Sequence, residues 1–315
     1  MKKLNIILSS LTLAAVAGFF FSSCTSTTAP GTTIGAPTNL MALSKSSTSI
    51  SIEWVRASGD TAVDTVIFSD GTGASYATAT STTATSYTIN GLSTNTVYTI
   101  WVGSAGARSS SIQWMTAVRT TGLKIYQFSS LNQSGLQLNV PGGQAAVVSA
   151  VKANAGTMDF FLDDFQNNDS ILSASQIAFE GSEFLDGNGP TWRNSFFDKH
   201  AMYIPGGIDD YYSASDFTNQ IDSVNNPNLQ GNEFDLPNDA VYATKGSAIL
   251  LAETQDGNFA KIEIVPDAAT GMLYSGSGTD KYITVNVSYQ PTAGKPYAAR
   301  GHQAFSGRPT RIPVR

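Results

Sequence analysis

The chain has 315 residues and a formal net charge of −6, and this acidic balance excludes nucleic acid as a partner because phosphate binding requires a basic surface. Charged residues make up only 13% and aromatic residues 10%, which is typical of an all-β extracellular protein rich in turns and excludes a disordered chain. Cys24 is the single cysteine, so no intramolecular disulfide can form and the fold depends on packing.

The N-terminus predicts export. Lys2 and Lys3 precede an apolar stretch at 4–21, which indicates a signal peptide over residues 1–23. The sequence Phe-Ser-Ser-Cys that ends at Cys24 resembles the lipobox of bacterial lipoproteins, in which the cysteine is lipidated and becomes the mature N-terminus. The alternative is an ordinary signal peptide with an incidental cysteine.

The resemblance implies a lipid anchor at Cys24 that holds the chain at a membrane of the bacterial cell envelope. No aspartate follows Cys24, which is compatible with sorting to the outer membrane, and the face of that membrane stays open. Residues 24–36 are polar and small, so we expect a flexible tether between the anchor and the folded body.

Residues 37–120 carry the clearest pattern of the chain. The segment Ile-Ser-Ile-Glu-Trp, which ends at Trp54, alternates in the way of a half-buried strand, and Leu92 precedes Tyr98 by six residues. This segment resembles a fibronectin type III domain, which implies a β-sandwich with Trp54, Leu92 and Tyr98 in its core and corner. Strands are expected near 40–44, 48–55, 62–69, 74–80, 85–90, 96–104 and 110–120.

We interpret this first domain as a spacer. Trp101 and Trp114 leave an alternative open, because exposed aromatic residues would suit a glycan or protein surface, although alternate positions on central strands are usually buried.

Residues 123–290 are expected to form a second, mostly antiparallel β domain. The region 121–290 holds 20 acidic and 7 basic residues, so it carries most of the negative charge. Its Asn-, Asp-, Gly- and Pro-rich middle indicates mainly loops, with a short helix over 214–223. Strands are expected at 136–140, 145–151, 157–162, 247–254, 259–265 and 282–290.

The last three strands resemble the end of the HmuY-like haem-binding lipoproteins. The matching segments are Asp-Gly-Asn-Phe-Ala-Lys at 256–261 and Ser-Tyr-Gln at 288–290, with a fainter likeness at 175–179. The resemblance implies an antiparallel meander and haem as one candidate ligand.

A haem site needs axial ligands, usually histidine or methionine, in an apolar slot. His200 and Met202 lie two residues apart, so on a strand they would share one face. Phe196, Phe197 and Tyr203 would supply its walls. The alternative is an exposed loop histidine beside core aromatic residues.

A calcium site is the second candidate. Asp163, Asp164, Asn167 and Asp169 supply several oxygens within one loop, which calcium prefers, but the spacing lacks the EF-hand pattern. The alternative is a polar surface turn.

No catalytic motif is present, and we expect no enzymatic activity. Residues 291–315 hold 5 basic and no acidic residues among many glycines and prolines, so we expect a basic disordered tail. The sequence therefore predicts an envelope lipoprotein that binds a ligand or adheres without catalysis, with haem as one ligand. The alternative is a glycan-binding or polysaccharide-processing accessory protein, and a protein partner also stays open.

Overall fold

The structure is a computed structural model, and it describes residues 34–73, 75–81, 83–104, 106–128, 132–140, 143–163, 169–179, 191–198, 200–204, 207–210, 230–231, 233–236, 246–295, 297–298 and 310–313. Within these ranges the regular structure is antiparallel β-sheet with short 3-10 helices, and no α-helix occurs, which confirms the all-β prediction. The predicted signal peptide, Cys24 and the predicted helix over 214–223 lie outside the described residues.

The first domain is a sandwich of two sheets. One sheet has the strand order β1-β2-β5, and the other has the order β4-β3-β6-β7 with β8 paired to β6. The strands are β1 (Thr38–Ser46), β2 (Ser49–Val55), β3 (Thr65–Ser69), β4 (Ser75–Ala79), β5 (Ser86–Ile89), β6 (Val97–Ser104), β7 (Ala107–Arg108) and β8 (Ile112–Met115).

The aromatic residues of this sandwich lie where the alternation predicts. Trp54 and Leu92 are buried between the sheets, and the indole Nε1 of Trp54 donates to Asp64 Oδ2 at 2.6 Å. The hydroxyl of buried Tyr98 accepts a hydrogen bond from the backbone N–H of Ser93 at 2.8 Å. A tyrosine that bonds back to the chain just upstream fixes the corner of such a sandwich, so the predicted core and corner roles are confirmed.

The next strand carries the chain into the second domain. The sequence predicts one strand over 110–120, whereas the structure has β8 and then a separate strand, β9 (Val118–Tyr126). Gln290 Nε2 donates to the Thr116 carbonyl at 2.7 Å, and this oxygen lies in the break between the two strands. Because β9 pairs with β20 of the second domain, the two domains share a continuous chain without a linker.

The second domain consists of two further sheets. The smaller has the order β11-β10-β12-β13-β17. The larger has eight strands, in the order β16-β14-β18-β19-β20-β9, with β15 paired to β18 and β21 paired to β15. The strands are β10 (Gly135–Gln137), β11 (Ala146–Val148), β12 (Phe160–Asp163), β13 (Ser170–Ser173), β14 (Phe196–Asp198), β15 (His200–Ile204), β16 (Gln230–Gly231), β17 (Glu233–Asp235), β18 (Ser247–Glu253), β19 (Phe259–Val265), β20 (Tyr282–Tyr289) and β21 (Thr310–Pro313), and the 3-10 turns lie at Lys152–Asn154, Ala174–Phe179, Gly207–Asp210 and Gly278–Asp280.

The core of the second domain lies between these two sheets. Phe160 of the smaller sheet stacks on Phe197 of the larger one, with ring centroids 4.2 Å apart. The alternate residues of β18, β19 and β20 that face this core are all fully buried, namely Ala248, Leu250, Ala252, Ala260, Ile262, Ile264, Ile283, Val285, Val287 and Tyr289.

An ion-pair network closes one end of the core. Buried Asp159 accepts hydrogen bonds from Arg193 Nε at 2.9 Å, from Ser195 Oγ at 2.7 Å and from the Leu138 N–H at 2.9 Å. This last bond explains why β10 ends at Gln137, before the predicted limit at 140. Burial lowers the pKa of Arg193, but its bonds to the Asp256 and Asp159 carboxylates outweigh burial and hold the pKa above its ordinary value.

Parts of the segment 291–315, which the sequence predicts to be disordered, are packed. Tyr297 lies against the core of the first domain and Ala298 is fully buried. Thr310–Pro313 forms β21 and pairs with β15. The described parts of this segment make contacts that its composition does not predict.

Candidate functional site

The larger sheet of the second domain has a face opposite the core, and this second face carries polar and charged residues that are nonetheless buried. On this face, Ile249 and Leu251 of β18 are fully buried. The residues of β18 that alternate with them face the core and are buried as well. A strand buried on both faces needs cover on each side. The second face comprises Ile249, Leu251, Lys261, Glu263, Asn286 and Ser288, with Arg119 of β9 in the same rows.

Hydrogen bonds organise one half of the second face. Asn286 Nδ2 donates to Glu263 Oε2 at 2.7 Å, and the Asn286 side-chain oxygen accepts from the Gly122 N–H at 2.9 Å. Glu263 is only 6% exposed. A carboxylate this deeply buried requires such partners, so this part of the face is preorganised.

The other half of the second face is a row of three polar residues. Lys261, Ser288 and Arg119 are registered across β19, β20 and β9, so they project from the same face. Lys261 and Ser288 are both fully buried. The Ser288 hydroxyl has no hydrogen-bond partner among the residues that the structure describes. A buried hydroxyl without a hydrogen-bond partner is uncommon in a folded protein.

A 3-10 turn covers part of this face. The turn Gly207–Asp210 packs against β15, β18 and β19, and its Ile208 is 3% exposed. Gly207 has φ +70°, and a Cβ at this position would collide with the Glu263 carboxylate. The positive φ favours glycine at 207, and a larger residue would also displace the Glu263 carboxylate.

The haem-ligand candidates lie next to the second face. His200 and Met202 both belong to β15, two residues apart. Met202 is registered with Ile249, which is a residue of the second face. Phe197, expected as a wall of the slot, is instead buried in the core against Phe160. The axial pair of His200 and Met202 stays a prediction, whereas Phe197 does not fit as a wall.

The structure describes only two of the four calcium candidates. Asp164 and Asn167 lie outside the described residues, and Asp163 ends β12. Asp169 Oδ2 accepts a hydrogen bond from Lys281 Nζ at 2.9 Å, in an ion pair that joins the two sheets. Among the residues that the structure describes, no group of three or more acidic, histidine or cysteine side chains has the arrangement of a metal site. The calcium site stays a prediction that the described geometry does not advance.

Trp101 and Trp114, the two surface candidates of the first domain, differ in burial. Trp114 is 1% exposed and its Nε1 donates to Ser44 Oγ at 2.9 Å, so Trp114 is a core residue and does not supply a surface. Trp101 is half-buried on the outer face of the β3–β6 sheet, registered with Ile67, and the Arg108 guanidinium lies 5.6 Å from its ring centroid. A cation beside a partly exposed indole makes Trp101 the surface candidate of this domain.

Sequence reasoning did not find the polar row on the second face. The signal was present in β19, where Lys261 and Glu263 alternate with apolar residues in the manner of a solvent-exposed face. Only the cover provided by the rest of the chain shows that these charges are buried, and that cover cannot be deduced from a period of two residues.

Comparison with known proteins concerns the first domain. The family model for the fibronectin type III domain matches residues 35–121. This part of the chain is a fibronectin type III domain. The fibronectin type III domain is similar to the FN5 domain of Drosophila Lar (23% identity, 26% of this chain, 96% of that chain, TM-score 0.24). It is also similar to an FN3 domain of human collagen XX (23% identity, 28% of this chain, 99% of that chain, TM-score 0.25).

A further similar structure is the fn3 domain of human contactin 1, at 21% identity, over 30% of this chain and 92% of that chain, with a TM-score of 0.25. No curated protein matches the chain. In the described part of the chain, no helix has both the length and the apolar character that a membrane span requires.

Proposed function

We propose that the protein is a lipoprotein of the bacterial cell envelope, anchored through Cys24 to the outer membrane, that binds a ligand without catalysis. The signal pattern over 1–23, the lone Cys24 and the polar tether over 24–36 support the anchor. The fibronectin type III domain, contiguous with the second domain through β9, supports a binding or adhesion role for the folded body.

The observation that carries the proposal is the composition of the second face beside β15. His200 and Met202 lie on this strand, and Met202 is registered with fully buried Ile249. A haem requires axial ligands, an apolar surface and cations for its carboxylates. Lys261 and Arg119 are the cations of this face, so haem is the ligand that we propose for it.

Retention on two matrices tests this ligand class. The soluble chain from Thr25 onwards should bind haemin-agarose and should pass through unmodified agarose. His200→Ala and Met202→Ala should each reduce retention, because each removes one axial group. Met272→Ala and His302→Ala are the matched controls, since they remove the same side chains elsewhere. Equal retention of all five proteins would remove the haem proposal.

A glycan is the second candidate ligand, and Trp101 is the observation that favours it. Its half-buried ring lies beside Arg108 on the outer face of the fibronectin type III domain. An indole supplies a flat apolar surface for a sugar ring and the guanidinium supplies donors. Native gels that contain polysaccharide should retard the chain, and Trp101→Ala should restore its mobility. If the wild-type chain and Trp101→Ala migrate equally in gels with and without polysaccharide, the glycan candidate is excluded.

The anchor has its own test. Full-length chain expressed in a bacterial host with labelled palmitate should incorporate the label into the membrane fraction, and Cys24→Ser should abolish incorporation. Incorporation by the variant, or a soluble unlabelled wild type, would overturn the lipid anchor.

A further inference from the structure

The β4-β3-β6-β7 sheet of the first domain, together with β8, contains a single charged residue. That residue is Arg108, and none of these five strands contains an aspartate or a glutamate. The chain as a whole has 24 acidic and 18 basic residues, so a sheet with one positive charge and no negative charge is an exception in this protein. Such a local charge distribution attracts an anionic partner to this sheet and does not repel it.

The outer face of this sheet is open around Trp101. Thr99 and Gly103 are its neighbours along β6, Ile67 of β3 is registered opposite it, and all four of these residues are only partly buried. Gly103 is in register with Arg108, so Arg108 projects from the same face as Trp101. A Cβ at Gly103 would lie 3.8 Å from Ile67 Cδ1 and 3.7 Å from Arg108 Cγ. The missing side chain therefore leaves a shallow gap between these two residues, beside the indole.

The charge of Arg108 is available on this outer face. Arg108 is exposed, and its guanidinium lies 5.6 Å from the Trp101 ring centroid. Within the part of the chain that the structure describes, Arg108 forms no ion pair. The carboxylates of Asp60 and Asp64, which precede β3, are buried and both form ion pairs with Arg56. These two carboxylates are therefore already compensated, and Arg108 keeps its charge for a ligand.

We propose that this outer face binds an acidic polysaccharide, a polymer whose sugar residues carry carboxylates. The inference rests on the glycan candidate at Trp101 and names the class of sugar. The indole supplies a flat apolar surface for a sugar ring, and the guanidinium binds a carboxylate through two parallel N–H···O bonds. A neutral sugar offers no such pair of charged acceptors, so the face discriminates between the two classes.

Native gels with a matched pair of polymers test the sugar class. The chain from Thr25 onwards is run in gels that contain either polygalacturonate or its methyl ester, which has the same backbone without the charge. Polygalacturonate should retard the chain, whereas the ester should leave its mobility as it is in a gel without polymer. Added salt should weaken the retardation, because it screens charges at an exposed site.

Charge-removing variants on the two sheets test the role of Arg108. Arg108→Gln should raise the polygalacturonate concentration at half-maximal retardation about tenfold, because it removes the charge-assisted hydrogen bonds. Lys45→Gln is the matched control, since it removes one positive charge from an exposed position of the other sheet, and it should behave as wild type. Trp101→Ala should abolish the retardation. Circular dichroism checks that each variant retains its fold.

Two results would overturn the inference and leave the glycan candidate standing. One is equal retardation of the wild-type chain by polygalacturonate and by its methyl ester. The other is equal retardation of Arg108→Gln and Lys45→Gln by polygalacturonate. A wild-type chain that neither polymer retards would also overturn the inference, and gels with a neutral polysaccharide would then decide whether a glycan surface at Trp101 remains.

Discussion

Tyr297 lies edge-on to Trp114, with the ring centroids 5.6 Å apart and the planes at 82°. Trp114 belongs to the core of the fibronectin type III domain, whereas Tyr297 lies eight residues beyond β20 of the second domain. Together with β9 and the Gln290 bond to Thr116, this contact joins the two domains at three places along the chain. The fibronectin type III domain is therefore packed against the second domain, which carries the candidate site.

Tyr297→Ala should lower the free energy of unfolding. The edge-to-face pair contributes about 0.5–1.5 kcal/mol beyond the area that it buries. Burial also raises the pKa of the Tyr297 hydroxyl, in agreement with a ring removed from water. Urea unfolding followed by tryptophan fluorescence measures the change, and Tyr297→Phe, which keeps the ring, should stay near wild type. An unchanged midpoint for the alanine variant would show that the contact does not join the domains.

Asp159→Ala should destabilise the second domain by about 3–5 kcal/mol, because it leaves the Arg193 guanidinium buried without its inner carboxylate. The double variant Asp159→Leu, Arg193→Met should lose less unfolding free energy than Asp159→Ala, because it removes the buried guanidinium together with its carboxylate. Asp280→Ala, at an exposed position, is the control and should stay within about 0.5 kcal/mol of wild type. A double variant less stable than the single one would show that the unpaired Arg193 charge is not the cause of the destabilisation.

Tyr98→Phe should cost about 1–3 kcal/mol, since it leaves the Ser93 N–H without its acceptor at the corner of the sandwich. Tyr76→Phe is a matched control, because Tyr76 is 48% exposed. Chemical denaturation of both variants gives the comparison. Equal midpoints would mean that the corner bond contributes nothing to stability.

Tyr289 gives a prediction for alkaline pH. Burial, followed by the charges of Asp159 and Asp256, raises the pKa of Tyr289 above its ordinary value. The unfolded chain loses this proton from about pH 10, while the folded chain retains it, so stability is present below about pH 10 and is lost as pH rises towards the folded pKa.

Tyr289→Phe should remove this alkaline loss. The Tyr289 hydroxyl has no hydrogen-bond partner in the described part of the chain, so the variant should be at least as stable as wild type at about pH 8 and more stable at about pH 11. The free energy of unfolding of both proteins, measured at the two pH values, tests this prediction. A parallel decline of both proteins would assign the alkaline loss to other groups.

The sequence predicts the first domain well because its structure is encoded locally. Alternation places Trp54 and Tyr98, and their burial follows from the period of two. The sequence does not predict the break between β8 and β9. There the Thr116 carbonyl accepts a hydrogen bond from Gln290, 174 residues away. Such a long-range contact leaves no trace in the local pattern.

The candidate site was predictable only in part. The spacing of His200 and Met202 indicates a shared strand, which the structure has as β15. The Lys261, Ser288 and Arg119 row depends on register between three strands that are distant in the chain. Register is fixed by tertiary packing, so the row becomes visible only in the folded protein.

Haem binding is tested by titrating haem into the chain from Thr25 to Arg315 and recording visible absorbance. We expect a saturable Soret band that is weakened in His200→Ala and in Met202→Ala, and unchanged in His302→Ala and Met272→Ala. Lys261→Met should keep the band but raise the haem concentration at half-saturation about tenfold, as expected for loss of one charge-assisted hydrogen bond. A flat titration of the wild-type chain would contradict haem binding and leave the glycan surface at Trp101 as the candidate.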